Sequence, residues 1–303
     1  MTTYARLPAL GGDINTITFS GHSAGCQFSH TMQVIHSDIV KGASLMECGP
    51  YSTDLPDFHA PGVTTKSLET TAFTNIDAYS KTGDIDSLES FKKVAAYIVG
   101  GTEDNTVPML AVEAVRDVYE HYGVEKYEFL KKDIGHDARG SDPMGGLEYI
   151  YTQLGYITDG FKPASTDPYS VGQLIKFDQK EFIPSDWSFS DTTFADFGFY
   201  YVPDSCKDKK CHAHFVFHGC GGNAESFTQH FGYNEIAATN DIIMVYPDSR
   251  CWGYGDKDFD PKEYTKSGMV PTSIMNMVTR VTTSREDEET ASFVAEAVSA
   301  FFQ

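Results

Sequence analysis

The sequence predicts an α/β fold in which a mostly parallel central sheet is covered by helices on both faces. Short apolar segments typical of strands alternate with segments that place apolar residues at helical spacing. Turn-rich polar loops follow two of the strand-like segments. The 303 residues, 41% of them hydrophobic, can bury a sizeable core, so residues 1–303 are predicted to form one domain without a separate binding domain.

The first strand-like segment ends in Gly21-His22-Ser23-Ala24-Gly25, the spacing of a sharp turn that exposes a serine between a strand and a helix. Residues 14–19 are apolar in alternation, and residues 24–38 lack proline and carry apolar residues at helical spacing. The glycines leave room for the strand and the helix to pass closely. Ser23 is therefore the candidate nucleophile.

A serine nucleophile needs an orienting acid and a base, which in this arrangement follow it in that order. The apolar strand 94–99 leads into a turn-rich loop that carries Asp104, the candidate acid, with Glu103 as its alternative. A helix-like segment and the strand-like segment 125–132 follow, and His136 comes directly after them as the candidate base. The remaining histidines near the serine are not assigned, because they lie on or beside the helix that follows it: His22, His30 and His36.

An acyl-transfer site also needs backbone N–H groups that stabilise the oxyanion. The N–H of Ala24 supplies one, and the N–H of Cys220 supplies the second, since the strand-like run HFVFHGCGG ends in His218-Gly219-Cys220. Such a His-Gly strand normally precedes the serine, but here His218 follows Ser23 by 195 residues. Residues 286–303 resemble the helix that usually leads into the serine strand, so we predict a circular permutation. Two unrelated domains in tandem are the alternative.

The chain resembles the secreted, fungal-type poly(3-hydroxybutyrate) depolymerases, whose single α/β-hydrolase domain is circularly permuted. The resemblance runs over nearly the whole chain, and it rests on these segments: SGHSAG around Ser23, Gly49-Pro50-Tyr51, the loop 101–107, Gly135-His136, FGFYYVPDSC ending at Cys206, FHGC ending at Cys220, GYNEIAATNDIIMVYPDS, and Cys251-Trp252 with the following GYG and YTKSG.

The resemblance implies a triad of Ser23, Asp104 and His136, with Ala24 and Cys220 as oxyanion donors. It also implies a substrate cleft beside Trp252, to which we add His218 and Tyr254. The chain departs from the family near the substrate, because it has two tryptophans in all and carries His22 and Cys26 in the serine segment. These departures affect the preference for the acyl group more than the reaction.

Six cysteines allow several pairings. Cys206 and Cys211 enclose a short loop between two strand-like segments, where a disulfide across a hairpin is expected. The resemblance implies Cys220–Cys251, which would leave Cys26 and Cys48 to pair. Buried free thiols are one alternative, and a zinc site of Cys206, Cys211, His212 and His214 is another, disfavoured because adjacent strand residues point to opposite faces. Disulfides favour secretion, although MTTYARLPALGG lacks the apolar core of a signal peptide.

The net charge of −20 and the pI near 4.7 argue against nucleic acid and anionic lipid as partners. No apolar run reaches the length of a membrane span, and no metal or organic cofactor is implied. We expect a monomer.

The segment 51–90 is polar and turn-rich with one weak helical stretch. We interpret it as a solvated excursion, with a flap over the cleft as the alternative.

These observations predict an extracellular serine esterase that hydrolyses poly(3-hydroxybutyrate) or a related short-chain polyester through an acyl-enzyme. A carboxylesterase acting on small or plant-wall esters, of the acetyl or feruloyl type, would share the triad and differ in the cleft. A non-catalytic binding protein on the same scaffold is a third interpretation, which the intact set of Ser23, Asp104 and His136 disfavours.

Overall fold

The computed structural model describes residues 4–254 and 260–287. Within these residues the chain forms one eight-stranded sheet in the spatial order β4-β3-β2-β1-β7-β8-β6-β5. All neighbouring strands run parallel except at β6, which is antiparallel to both β5 and β8. The strands are β1 (Ile17–His22), β2 (Gly42–Met46), β3 (Ala95–Gly101), β4 (Lys126–Lys132), β5 (Gly172–Asp178), β6 (Phe197–Pro203), β7 (His212–Phe217) and β8 (Ile242–Tyr246).

Helices cover both faces of the sheet, as predicted. The α-helices are α1 (Ala24–Ile35), α2 (Leu55–Phe58), α3 (Thr65–Thr82), α4 (Leu88–Phe91), α5 (Met109–His121), α6 (Pro143–Gln153), α7 (Ala224–His230), α8 (Tyr233–Asn240) and α9 (Met269–Thr282). Helices α1, α5 and α9 contribute buried side chains to the core on one face, and α6, α7 and α8 contribute to the core on the other.

The central strands are buried on both faces, which explains why they read as nearly continuous apolar runs. In β8, for example, Ile243 and Val245 belong to one core, whereas Ile242, Met244 and Tyr246 belong to the other. This alternation follows from the two-residue repeat of a strand. The sheet therefore forms a rigid layer, and the loops at the carboxyl ends of its parallel strands lie along one edge.

Several predicted elements differ from the observed ones. Residues 14–16 form a 3-10 turn capped by Asp13 rather than the start of the strand. The segment 224–240 forms two helices, because the chain bends at Gly232, which adopts φ 78°. The segment 51–90 holds the 18-residue helix α3, which buries Leu68, Ala72 and Ile76 in the core, so its interpretation as a solvated excursion is wrong there.

The strand order bears on the predicted permutation. If the strands are renumbered with β5 to β8 as 1 to 4 and β1 to β4 as 5 to 8, their spatial order from the β5 edge becomes 1-2-4-3-5-6-7-8. The N–H groups of Gly11 and Gly12 bond the carbonyls of Thr283 and Val281, so the segment before β1 lies against the end of α9. Most of the predicted helix over 286–303 lies outside the described residues, and the permutation stays a prediction.

The structure contains three disulfides, Cys26–Cys48, Cys206–Cys211 and Cys220–Cys251. The Cys206–Cys211 bond excludes the alternative in which both thiolates bind zinc. The disulfide was expected to cross a hairpin, but β6 and β7 do not form one, because β8 lies between them in the sheet. Among the described helices, none combines the length and the apolar character that a membrane crossing requires.

Candidate active site

Ser23 occupies the turn between β1 and α1 with φ 56° and ψ −125°. Such a conformation is costly for a residue with a side chain, by about 1–3 kcal/mol, and is tolerated where the surrounding structure enforces it. The Ser23 N–H donates to the carbonyl of Met46 at the end of β2, 2.9 Å away, and its carbonyl accepts the N–H of Gln27. The turn is thus fixed to the neighbouring strand on one side and to the helix on the other.

The two glycines of the serine turn are required by close backbone approach. A Cβ atom at Gly21 would lie 2.1 Å from the carbonyl oxygen of Gly25, and one at Gly25 would lie 2.2 Å from that of Phe217. Strand β1, helix α1 and the end of β7 therefore meet with no space for a side chain between them. This is the physical reason for glycine on both sides of Ser23.

Asp104 and His136 lie together at the carboxyl ends of β3 and β4. The His136 Nδ1 and the Asp104 Oδ2 are 2.7 Å apart. The other oxygen, Oδ1, accepts the N–H groups of Thr106 and Val107 at 2.7 and 2.9 Å. Asp104 is buried, and the alternative acid Glu103 has an exposed side chain. The structure therefore brings His136 to Asp104 and leaves Glu103 outside.

The pair shifts the pKa values of both groups. Burial raises the pKa of the Asp104 carboxyl, but the hydrogen bond from His136 and the two backbone amides lower it by more, so its net shift is downward. Burial lowers the pKa of His136, but the hydrogen bond to Asp104 and the charges of Asp104 and Glu47 raise it by more. Asp104 is thus ionised at neutral pH, and the His136 cation is stabilised.

Glu47 is a second carboxylate beside His136, and it follows β2. Its side chain is fully buried and accepts hydrogen bonds from Ser141 and from the Nε2 of His22, at 3.0 and 2.9 Å. One oxygen lies 3.2 Å from the Nδ1 of His136. The rings of His22 and His136 lie 4.6 Å apart between centroids, which places His136 next to the residue that precedes Ser23.

A cavity of about 290 Å³ opens beside Ser23. Its wall combines the serine turn, the loop that carries α2, and the Cys220–Cys251 disulfide; its lining residues are Ser23, Ala24, Gln27, Cys48, Asp54, Leu55, Phe58, Val107, Cys220, Arg250, Cys251 and Tyr254. Gln27 shapes this wall, because its side-chain amide bonds the backbone of Gly49, Pro50 and Thr53. The α2 region lines the cavity, as the flap alternative for this segment proposed.

The residues assigned to the substrate cleft divide into two groups. Tyr254 lies on the cavity wall. Trp252 and His218 do not: they are 1% and 2% exposed, and the indole N–H of Trp252 donates to the carbonyl of His218. The Trp252 ring packs on Phe28 and Phe217. Trp252 therefore packs the loop after β8 against the core and does not line the described cavity, so its place beside the substrate stays a prediction.

The Cys220–Cys251 bond joins the loops after β7 and β8 and lines the cavity. Replacing both cysteines with serine should lower the free energy of unfolding by about 3.7 kcal/mol, from the 31-residue separation. The same change at Cys206 and Cys211 should cost about 2 kcal/mol, because that separation is 5 residues. Urea unfolding measures both. Since the second pair lies away from the cavity, its loss should leave the reactivity of Ser23 unchanged; equal damage to reactivity in the two variants would contradict the assigned cavity.

Two curated proteins are similar to the chain. It is 28% identical over 315 residues to a poly(3-hydroxybutyrate) depolymerase of Delftia acidovorans, covering 91% of this chain and 61% of that protein. It is 24% identical over 273 residues to a polyhydroxybutyrate depolymerase of Talaromyces funiculosus, covering 80% of this chain and 76% of the relative. The chain is thus similar to polyhydroxybutyrate depolymerases over most of its length. This confirms the resemblance, although the chain spans less than two thirds of the Delftia protein.

Two solved structures share the fold. A serine-to-alanine variant of a PHB depolymerase, complexed with an R3HB trimer, superposes with a TM-score of 0.75 at 19% identity, covering 92% of this chain and 99% of that chain. The PHB depolymerase from Penicillium funiculosum gives a TM-score of 0.74 with the same identity and coverage. The fold is thus α/β-hydrolase-like, as predicted. No family model matches the chain.

Sequence reasoning missed three residues of this site. Glu47 is an acidic residue directly after an apolar strand, which is a local sign of a functional residue. Which side chain it contacts depends on the strand that lies next to β2. His22 was set aside because it precedes the helix, yet it contacts Glu47 and His136. Arg250 lines the cavity, and no motif marked it.

Proposed function

We propose that this protein is a serine esterase that hydrolyses poly(3-hydroxybutyrate) or a related short-chain polyester. The observation that carries the proposal is the hydrogen-bonded pair of Asp104 and His136 beside the turn that holds Ser23 over a cavity. The relationship to polyhydroxybutyrate depolymerases supports the substrate class. Acyl transfer needs a nucleophile, a base and an orienting acid, and these three residues supply them.

In the proposed reaction, the Ser23 hydroxyl attacks the ester carbonyl while His136 takes its proton through Nε2. Asp104 accepts the hydrogen bond from Nδ1, which fixes the tautomer and stabilises the imidazolium that forms. His136 then returns the proton to the leaving alcohol, and the acyl group stays on Ser23 as an ester. Water, activated by His136, cleaves this ester and releases the hydroxyacid.

We assign the oxyanion donors to the N–H groups of Ala24 and Cys220. Ala24 is the first residue of α1, so its N–H lies at a helix N-terminus, where negative charge is stabilised. The loop before Cys220 rests directly on the serine turn, since a Cβ at Gly219 would lie 2.9 Å from the Cβ of Ser23. Each donor should stabilise the transition state by about 2.7–4 kcal/mol.

The pH dependence of the reaction follows from the pKa of His136. A general base must be neutral, so kcat/KM should rise as the pH passes upward through that pKa. Because the partners of His136 raise its pKa above 6.5, we expect the midpoint of the rise above pH 6.5. Hydrolysis of a soluble aryl ester between pH 4 and 9 measures it. A midpoint clearly below 6.5 would contradict the described environment of His136.

The substrate class is tested by the release of soluble 3-hydroxybutyrate from a turbid suspension of poly(3-hydroxybutyrate). We expect the wild-type protein to clear the suspension and the Ser23→Ala variant to leave it turbid. If the wild-type protein cleaves p-nitrophenyl butyrate but does not clear the polymer, the triad stands and the substrate is a small ester. If it does neither, the proposal fails and a binding role becomes the better interpretation.

We also propose that the protein is secreted and that residues 1–303 form one permuted catalytic domain that acts as a monomer. Three disulfides support an oxidising compartment. The strand order that begins at β5, and the contact between the segment before β1 and the end of α9, support the permutation. The net charge of −20 argues against nucleic acid as a partner.

A further inference from the structure

Two carboxylates converge on one ring nitrogen of His136. The Nδ1 atom lies 2.7 Å from the Asp104 Oδ2 and 3.2 Å from the Glu47 Oε2. The geometry points to Glu47 as a positioning residue for His136, a second carboxylate that lies beside the Nδ1 atom that Asp104 holds. This inference rests on the proposed function, because it assigns a further residue to the same site.

The fold brings the two carboxylates together. Strands β2 and β3 are parallel neighbours, so their carboxyl ends lie side by side. Asp104 follows β3 and Glu47 follows β2 directly, so each strand delivers one carboxylate to the same imidazole. The Glu47 backbone is held in place as well, since its N–H donates to the carbonyl of Val99 in β3, and its φ is 61°.

The Glu47 side chain is buried but not orphaned. Its Oε1 accepts the hydroxyl of Ser141, and its Oε2 accepts from the Nε2 of His22. A buried carboxylate without such donors would be costly, so these contacts fix its orientation. His22 and Ser141 therefore aim one oxygen of Glu47 at the Nδ1 of His136.

Further titratable groups lie on the segments next to His136. Glu103 lies on the loop after β3, His22 ends β1, and Asp133 and Asp137 flank His136 on its own loop. Asp104 and Glu47 are the carboxylates whose charges raise its pKa. Because His136 carries a positive charge in the transition state, both should stabilise that state. Glu47 also offers Nδ1 an acceptor when Asp104 is removed.

The first test is a double-mutant cycle on a soluble aryl ester. We expect Glu47→Gln to lower kcat about tenfold with KM unchanged, and Asp104→Ala to lower it about a hundredfold, because Glu47 still orients His136. The double variant should lose about ten thousandfold, the loss known when such an acid no longer orients its histidine. If the double variant loses more activity than the product of the two single losses, the two carboxylates act on the same imidazole.

The second test is the pH profile of kcat/KM, which a merely structural residue would not move. Removing the charge of Glu47 should lower the pKa of His136, so the acid limb of Glu47→Gln should move to lower pH by about half a unit to one unit. Glu103→Gln is the matched control: it removes an exposed carboxylate from the same edge of the sheet and should reproduce the wild-type profile.

The outcomes separate this inference from the proposed function. An unmoved acid limb in Glu47→Gln, with a double loss equal to the product of the single losses, would overturn the role of Glu47 and leave the triad intact. If the wild-type protein and Glu103→Gln both lack esterase activity, the proposed function fails, and this inference with it. Should Glu47→Gln not fold, Ser141→Ala decides: it frees Oε1 and leaves the carboxylate charge in place, so kcat should fall with KM unchanged, and an unchanged kcat would contradict the inference.

Discussion

Replacing Ser23 with alanine should lower kcat for ester hydrolysis about a million-fold, the loss seen when the nucleophile of a serine hydrolase is removed. The physical reason is that the acyl-enzyme can no longer form, while the oxyanion donors and the cavity remain. Binding should survive, because alanine removes one oxygen and leaves the cavity wall unchanged. Initial rates on p-nitrophenyl butyrate, measured at high enzyme concentration, give the residual activity.

A matched control for this loss is Ser20→Ala. Ser20 lies in β1, three residues before the nucleophile, and its side chain is fully buried. It tests whether removing any hydroxyl near the turn disturbs the site. We expect Ser20→Ala to keep activity within a few-fold of wild type; a Ser23→Ala variant that retains more than about one thousandth of the rate would contradict the assignment of the nucleophile.

Gly25→Ala should lower the free energy of unfolding more than the cysteine and Gly83 variants do. Its Cβ would lie 2.2 Å from the carbonyl oxygen of Phe217 and 2.5 Å from that of His218, so backbone must move. We expect the free energy of unfolding to fall by about 4 kcal/mol or more, a size reserved for disruption of packing. The labelling of Ser23 by a fluorophosphonate should be lost as well, because the displaced backbone carries the turn and the loop before Cys220.

The comparison variant is Gly83→Ala, at the end of α3. Gly83 has a φ of +80° and no atom within 4 Å of its ideal Cβ, so the substitution adds backbone strain without a clash. We expect a cost of about 1 kcal/mol and normal labelling. If urea unfolding gives the same loss of unfolding free energy for both variants, the close backbone approach at Gly25 does not destabilise Gly25→Ala as we expect.

The serine turn could be predicted because its signal is local. The glycines, the serine and the flanking strand and helix lie within about a dozen consecutive residues, and each obeys a backbone rule. The Asp104 and His136 assignments depended on chain order and on loops at strand ends, which a single sequence also records. The structure brings these two side chains within 2.7 Å, as that order suggested.

The rest of the site depends on neighbours that are distant in the chain. Glu47 reaches His136 because β2 lies beside β3, and nothing in the sequence states that adjacency. Trp252 was assigned to the cleft because its segment resembles the family. Its ring stacks on Phe28, and a sequence pattern does not reveal that contact. The bend at Gly232 depends on a left-handed backbone conformation, φ 78°, which the apolar spacing does not record.

The most direct test of the central claim is to label the protein with a fluorophosphonate and to map the adduct by peptide mass spectrometry. We expect one adduct, on Ser23, that forms quickly in the wild-type protein, forms much more slowly in a His136→Ala variant and is absent in Ser23→Ala. An adduct on another serine, or none in folded wild-type protein, would contradict the assignment of Ser23 as a nucleophile activated by His136.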